Sequence, residues 1–156
     1  MSQQEVMAEL QAKIGTETHV GDWVMVDQSR INQFADATGD HQWIHVDADR
    51  AKSESPFKDT IAHGFLTLSM VPMLTREVEG DGPRYPGVKL AVNYGLNKVR
   101  FPSPVKVGSR VRSRTRLKEV GEVTGGLQII REITVELEGG DKPCCVAETI
   151  TRLYFS

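Results

Sequence analysis

The sequence predicts an α+β domain in which an antiparallel sheet curls around one buried helix. Three observations carry that expectation. Residues 61–79 place Phe65, Leu66, Leu68, Met70, Val71, Met73 and Leu74 around nearly the whole helical wheel, the pattern of a helix buried on all sides. From Val88 to the C-terminus the apolar period changes to two, the period of strands. Turn signals separate those strands: Pro102 and Pro104, then Gly121 to Gly126, then Gly139–Gly140–Asp141. A buried helix followed by long antiparallel strands packs as a sheet wrapped around that helix.

Taken in order, Val6, Leu10 and Ile14 recur at helical spacing and predict a short amphipathic helix ended by Gly15. Asp22 to Asp27 reads as a short strand or extended edge. Ser29 is the expected N-cap of a helix carrying Ile31, Phe34 and Ala35, with Gly39 as its stop. Asp47 or Asp49 is expected to cap a helix over Ala48–Glu54, terminated by Pro56. Pro72 removes a backbone donor inside residues 61–79 and should kink or break that helix. Leu90, Val92, Tyr94 and Leu96 alternate with polar residues, and Gly95 with the phase change to Val99 and Phe101 predicts a bulge. In the next strand Val111, Thr115 and Leu117 alternate with Arg110, Arg112, Arg114, Arg116 and Lys118. Leu127, Ile129, Ile133, Val135 and Leu137 return beside it with Glu132, Glu136 and Glu138 on the outer side. That parity predicts cross-strand charge pairing on an exposed face, with one or two of the arginines as the alternative partners of a ligand's phosphates. Cys144 to Phe155 is the last strand.

The bulk numbers fit a single domain spanning residues 1–156. With 39% hydrophobic and 26% charged residues, the chain reads as globular rather than disordered. A net charge of −2 lacks the basic footprint of a nucleic-acid binder. No apolar run approaches the ~20 residues of a membrane span. Residues 1–13 include Glu5 and Glu9 and show no secretory signal, so a cytoplasmic location is expected. Cys144 and Cys145 are adjacent, which disfavours a mutual bridge and gives no metal-ligand spacing.

The chemistry concentrates in two segments. In Gly39–Asp40–His41–Gln42–Trp43–Ile44–His45–Val46–Asp47 a carboxylate, Asp40, stands five positions before an imidazole, His45, in what reads as a loop. Ile61–Ala62–His63–Gly64–Phe65–Leu66–Thr67–Leu68–Ser69 then opens the buried helix with His-Gly and carries a hydroxyl, Ser69, inside it. A carboxylate and an imidazole that share one water suit acid–base chemistry near neutral pH. A helix N-terminus beside them offers free N–H groups to a carbonyl gaining negative charge, and Gly64 lets a substrate approach its backbone closely. His41, His45, Asp40 and Asp47 also have metal-ligand chemistry, but histidines four apart converge mainly on a helix, so no metal is expected.

The segments "FADATGDHQWIHVD" and "IAHGFLTLS" resemble the hydratase motif of the MaoC-like, R-specific enoyl-CoA hydratases. "VNYGLNKVRFPSPVKVGSRVR" is also similar to that family, so the resemblance covers roughly residues 15 to 155. It implies the hot-dog fold, a helix wrapped by an antiparallel sheet. It further implies hydration of trans-2-enoyl-CoA to (R)-3-hydroxyacyl-CoA with no metal or redox cofactor, and hot-dog sheets joined edge to edge in a homodimer. The family's catalytic Asp and His fall on Asp40 and His45, its His-Gly on His63 and Gly64, and its polar pocket residue on Ser69. Gln42 and Trp43 depart from the Asn and Pro often found there, which bears on the pocket's width and acyl preference. Gln42 and Asn97 complete the expected substrate contacts, Asn97 toward the pantetheine arm. Which of Asp40 and His45 is formally the base stays open. Two further readings stand beside hydration: dehydration of a 3-hydroxyacyl thioester on CoA or acyl-carrier protein, and a non-catalytic acyl-CoA binding module, which the presence of both Asp40 and His45 disfavours.

Overall fold

The computed structural model describes residues 1–79 and 82–155, and its first element is helix α1 (Gln3–Gln11). The Ser2 hydroxyl accepts from the Glu5 N–H while the Glu5 carboxylate accepts from the Ser2 N–H, a reciprocal cap that starts the helix. Val6 and Leu10 are buried, but the helix stops at Ala12, so Ile14 and Gly15 lie beyond it rather than closing it. Strand β1 (Glu17–Val20) follows, a polar edge with no alternating apolar signal to predict it. β2 (Val24–Met25) is the core of the expected extended segment.

Helix α2 (Gln28–Thr38) is capped by Asp27 rather than Ser29: the Asp27 carboxylate accepts from the Arg30 N–H at 2.8 Å. It ends at Gly39 with φ +84°, the left-handed conformation glycine adopts freely. The next residues, expected as loop, form a single turn, α3 (Trp43–Val46). Asp47 then caps α4 (Ala48–Glu54) through the Arg50 N–H. The apolar stretch makes two short helices, α5 (Gly64–Ser69) and α6 (Val71–Thr75). The break comes where Pro72 stands in the first turn of α6, a position that needs no donor. A small hairpin, β3 (Val78–Glu79) with β4 (Gly82–Pro83), leads into the long strands.

Those strands are β5 (Leu90–Arg100), β6 (Arg110–Val123), β7 (Gly126–Leu137) and β8 (Cys145–Tyr154). The antiparallel sheet runs β1-β6-β7-β8-β5, with β2 also paired to β6. Val111, Thr115 and Leu117 on β6 face inward with Leu127, Ile129, Ile133 and Val135 on β7. Outside, Arg110 pairs with Glu138, and Arg112 and Arg114 share Glu136, with Arg114 also reaching Glu17. The arginine stripe is therefore largely cross-strand pairing. The core forms two apolar clusters, one joining α2, α5 and α6 to the Val111–Val135 end of the sheet, the other joining α1 to Leu117, Leu127, Ile129 and Leu153.

Strand β5 departs from the sequence expectation in one respect. Its register against β8 slips between Asn93 and Gly95, at the predicted bulge, and again between Asn97 and Arg100. Its apolar row, however, faces outward: Leu90, Tyr94 and Leu96 are 54%, 56% and 45% exposed. Period two reports a strand, not which of its faces is covered. Among the described residues no helix is long and apolar enough to cross a membrane.

Candidate active site

Asp40 follows the left-handed Gly39 that ends α2, so the chain turns there, and its carboxylate accepts from the Gln42 N–H just before the following turn. His45 lies inside α3 and is buried, 7% exposed, not in a polar loop. The turn is held from beneath. Gln28 donates from Nε2 to the His45 carbonyl at 2.8 Å and accepts from the Thr60 hydroxyl at 2.6 Å. The Ile61 N–H donates to the Ile44 carbonyl at 3.0 Å, tying α3 to the segment that enters α5.

That segment also sets the imidazole. His45 Nδ1 lies 2.7 Å from the Ile61 carbonyl, which only accepts, so Nδ1 carries the proton and Nε2 of the neutral ring is an acceptor. Burial lowers the His45 pKa below the ordinary histidine value, with His63 adding to the effect; the Ile61 bond and Asp40 oppose it. The ring is therefore neutral at neutral pH.

His63 stacks on His45, with ring centroids 3.8 Å apart and 23° between planes, and Phe34 packs against its other side. Its Nε2 donates to the Asp40 carbonyl at 3.0 Å, fixing the backbone that bears the carboxylate. A carboxylate oxygen of Asp40 and a ring nitrogen each of His45 and His63 lie within 4.8 Å of one another, a span one water bridges. The same three groups have metal-ligand chemistry. Stacked rings, however, send their in-plane lone pairs side by side rather than to one point, and each ring already gives one nitrogen to a carbonyl.

The other expected site residues scatter around this group. Gly64 opens α5 directly after His63, but α5 has six residues, too short for the helix dipole expected from a long helix. A Cβ on Gly64 would come 2.9 Å from the Phe101 ring, so close packing there already requires glycine. Gln42 is exposed, and its N–H donates to the Asp40 carboxylate at 3.3 Å. Ser69 is exposed and donates to the Phe65 carbonyl at 2.7 Å; it lines a groove with Leu68, Thr149 and Ile150 instead of joining the histidines. Asn97 is exposed on β5 opposite Glu148. His41 pairs with Asp36 and Asp47 caps α4, so neither joins Asp40 and His45. Cys144 and Cys145 are buried free thiols, pushed by desolvation up to about 12 and about 11, and so are poor nucleophiles. Sequence reasoning missed Gln28, Thr60 and Phe34 as supports, because nothing local marks a residue whose partner is tertiary.

The family model described as MaoC like domain matches residues 9–138. A 3-hydroxyacyl-thioester dehydratase Z of Mycobacterium tuberculosis is 52% identical over 149 residues, covering 95% of this chain and 95% of the relative. Nodulation protein N of Rhizobium leguminosarum bv. viciae is 44% identical over 151 residues, covering 96% of this chain and 91% of the relative. Among solved structures, the R-hydratase PhaJ1 from Pseudomonas aeruginosa in the unliganded form superposes with a TM-score of 0.71 at 23% identity, covering 96% of this chain and 86% of that one. With its antiparallel sheet around a broken central helix, its match to the family model and these two relatives, the chain belongs to the MaoC-like domain family and has the hot-dog fold.

Proposed function

We propose that this protein is a hydro-lyase of acyl thioesters that adds water to a trans-2-enoyl-CoA to give the (R)-3-hydroxyacyl-CoA, or removes it in reverse. The observation that carries this reading is the buried, neutral His45, whose Nε2 is left as an acceptor and whose ring has a nitrogen within 4.8 Å of an Asp40 carboxylate oxygen. The two groups hold one water. Its oxygen bonds to C3 of the enoyl group, one of its protons passes to the pair, and the pair returns a proton to C2. Charge that develops on the thioester oxygen is met by the Gly64 N–H, next to the histidine stack. The reaction calls for no electron transfer, and the acid–base pair supplies its proton steps.

The dehydratase direction has its own support, the name of the 52% identical relative. Hydration and dehydration are one equilibrium on one site, so the same residues serve both. A binding module without catalysis has no need of an imidazole held in one tautomer beside a carboxylate. Crotonyl-CoA mixed with the protein should lose the absorbance of its conjugated enoyl thioester, and (R)-3-hydroxybutyryl-CoA should generate it. No change with either thioester sinks the reading.

The reading includes a second copy of the chain. β5 is an edge strand of 11 residues, unpaired on one side among the described residues and flanked by the exposed Tyr94, Leu96, Phe65 and Phe101, the kind of surface that proteins cover. Pairing of β5 with β5 of a partner would cover both edges at once by two-fold symmetry. A sedimentation mass of 17.3 kDa at micromolar concentration would contradict it.

A further inference from the structure

The inward row of β7 runs Leu127, Ile129, Arg131, Ile133, Val135, with a guanidinium at its centre that is 7% exposed. Thr115 on β6 and Thr151 on β8 face the same interior and are also more than nine-tenths buried. These polar side chains separate the two apolar clusters of the core. A cavity of about 240 Å³ lies against them, covered by Leu10 of α1 and by Pro72 and Thr75 of α6. Five buried polar atoms without a hydrogen-bonding partner among the described residues belong to its lining: His19 Nδ1, Glu77 Oε1, Thr115 Oγ1, Arg131 Nη1 and Thr151 Oγ1. A desolvated polar atom left unpaired is costly, so a wall with five of them suits an occupant that hydrogen-bonds.

The cavity connects to the helix that His63 and Gly64 open. It shares Pro72, Glu77 and Asn93 with a second cavity of about 380 Å³, whose wall includes Leu68 and Ser69 of α5. The break at Pro72 therefore stands where the two cavities meet.

The donors and acceptors select among occupants. Arg131 only donates, and its Nη2 is already given to the Tyr85 hydroxyl at 2.8 Å. Its Nη1 is 3.8 Å from Glu77 Oε1, too far for a hydrogen bond and close enough for one oxygen to touch both. A hydroxyl satisfies the pair, accepting from Arg131 and donating to Glu77, with two threonine hydroxyls beside it. A carboxylate would meet the Glu77 carboxylate, and a methyl end would leave all five atoms unpaired.

We infer that this cavity is a recognition subsite for the far end of the acyl chain, and that the preferred acyl thioester carries a hydroxyl there. The inference rests on the acyl-thioester reading above and adds the substrate class. Its test uses trans-2-enoyl-CoA chains of increasing length in matched sets ending in methyl, hydroxyl or carboxylate, with crotonyl-CoA as the short reference. At the length that reaches Arg131, kcat/KM for the hydroxyl-ended chain should exceed that of the methyl-ended chain by at least about tenfold. Thr115→Val and Thr151→Val, near-isosteric changes that leave the Arg131–Tyr85 bond alone, should together pull that preference toward parity while crotonyl-CoA turnover stays at the wild-type level. Methyl-ended chains equal or better at every length mean a water-filled cavity only, and overturn the inference. A preference for carboxylate ends, or one that survives the double change, also overturns it. Absence of crotonyl-CoA turnover in the wild type is the separate outcome that removes the underlying reading.

Discussion

Two histidine–carboxylate pairs with the same five-residue spacing share one short stretch, Asp36–His41 and Asp40–His45. At the first, His41 Nε2 lies 2.9 Å from the Asp36 carboxylate on the surface, both side chains more than half exposed. That contact raises the His41 pKa, so its ring tends to carry charge and its nitrogen is engaged. At the second, burial lowers the His45 pKa, and the Ile61 carbonyl takes its one N–H. The surface pair is a closed ion pair worth little. The second pair sets a ring nitrogen of the buried His45 within 4.8 Å of the exposed Asp40 carboxylate, a span one water bridges. Identical residue types at identical spacing thus have opposite protonation behaviour, and what separates them is that His41 bonds within its own stretch whereas His45 is bonded from outside it, by Ile61.

The largest effects should come from breaking the Asp40–His45 pair. Asp40→Asn and His45→Ala should each lower kcat for crotonyl-CoA hydration by on the order of 100-fold or more, with circular dichroism showing the fold retained. The double variant should be hardly worse than the worse single one, because both groups act on one water. Near-normal turnover in either single variant ends the assignment.

Gly64 sharpens the comparison next, as it borders the histidine stack. Gly64→Val should lower kcat at least ~100-fold, more than it raises KM, if its N–H meets the thioester oxygen in the transition state. The structure adds a second cost, since any Cβ meets Phe101 at 2.9 Å. Phe101→Ala opens that space, so Gly64→Ala combined with it separates the causes. Restored activity in that pair would assign the loss to packing, whereas a persistent kcat loss with a normal melting temperature supports the N–H role.

The smallest effects belong to the surface pair. His41→Ala and Asp36→Asn should leave kcat within about twofold and the melting temperature close to that of the wild type, checked by the same assay and by thermal melting. Dialysis against EDTA should likewise leave activity unchanged. Activity lost to EDTA and restored by zinc would make Asp40, His45 and His63 a metal centre.

The same contrast shows how far the sequence could be read. β6 and β7 were legible because each residue's face follows from parity, and Val111, Leu117, Ile129 and Ile133 all lie inside as that parity predicts. Asp40, His45, His63 and Gly64 were singled out by their motif, and the fold brings them close together. The burial of His45 was not legible, because it depends on Ile61, Gln28 and Thr60 reaching α3 from elsewhere in the chain. Ser69 is in the helix where expected, yet its hydroxyl turns back to Phe65, a choice between neighbouring acceptors that spacing leaves undetermined. Arg131 sits in an inward row that reads as apolar, and its partners Tyr85 and Glu77 come from the segment before β5.

The central claim is that a neutral, buried His45 works with Asp40 on the attacking water. The pH dependence of kcat/KM for crotonyl-CoA tests it most directly, since it reports groups titrating in the free enzyme. Because the folded pKa of His45 is lowered, the neutral ring persists below the ordinary value of 6.5, and activity should fall only as pH drops through that lower value. The acid limb should therefore lie below pH 6.5 and stay in place in His41→Ala. An acid limb above 6.5, or one that moves when His41 is removed, would contradict the account.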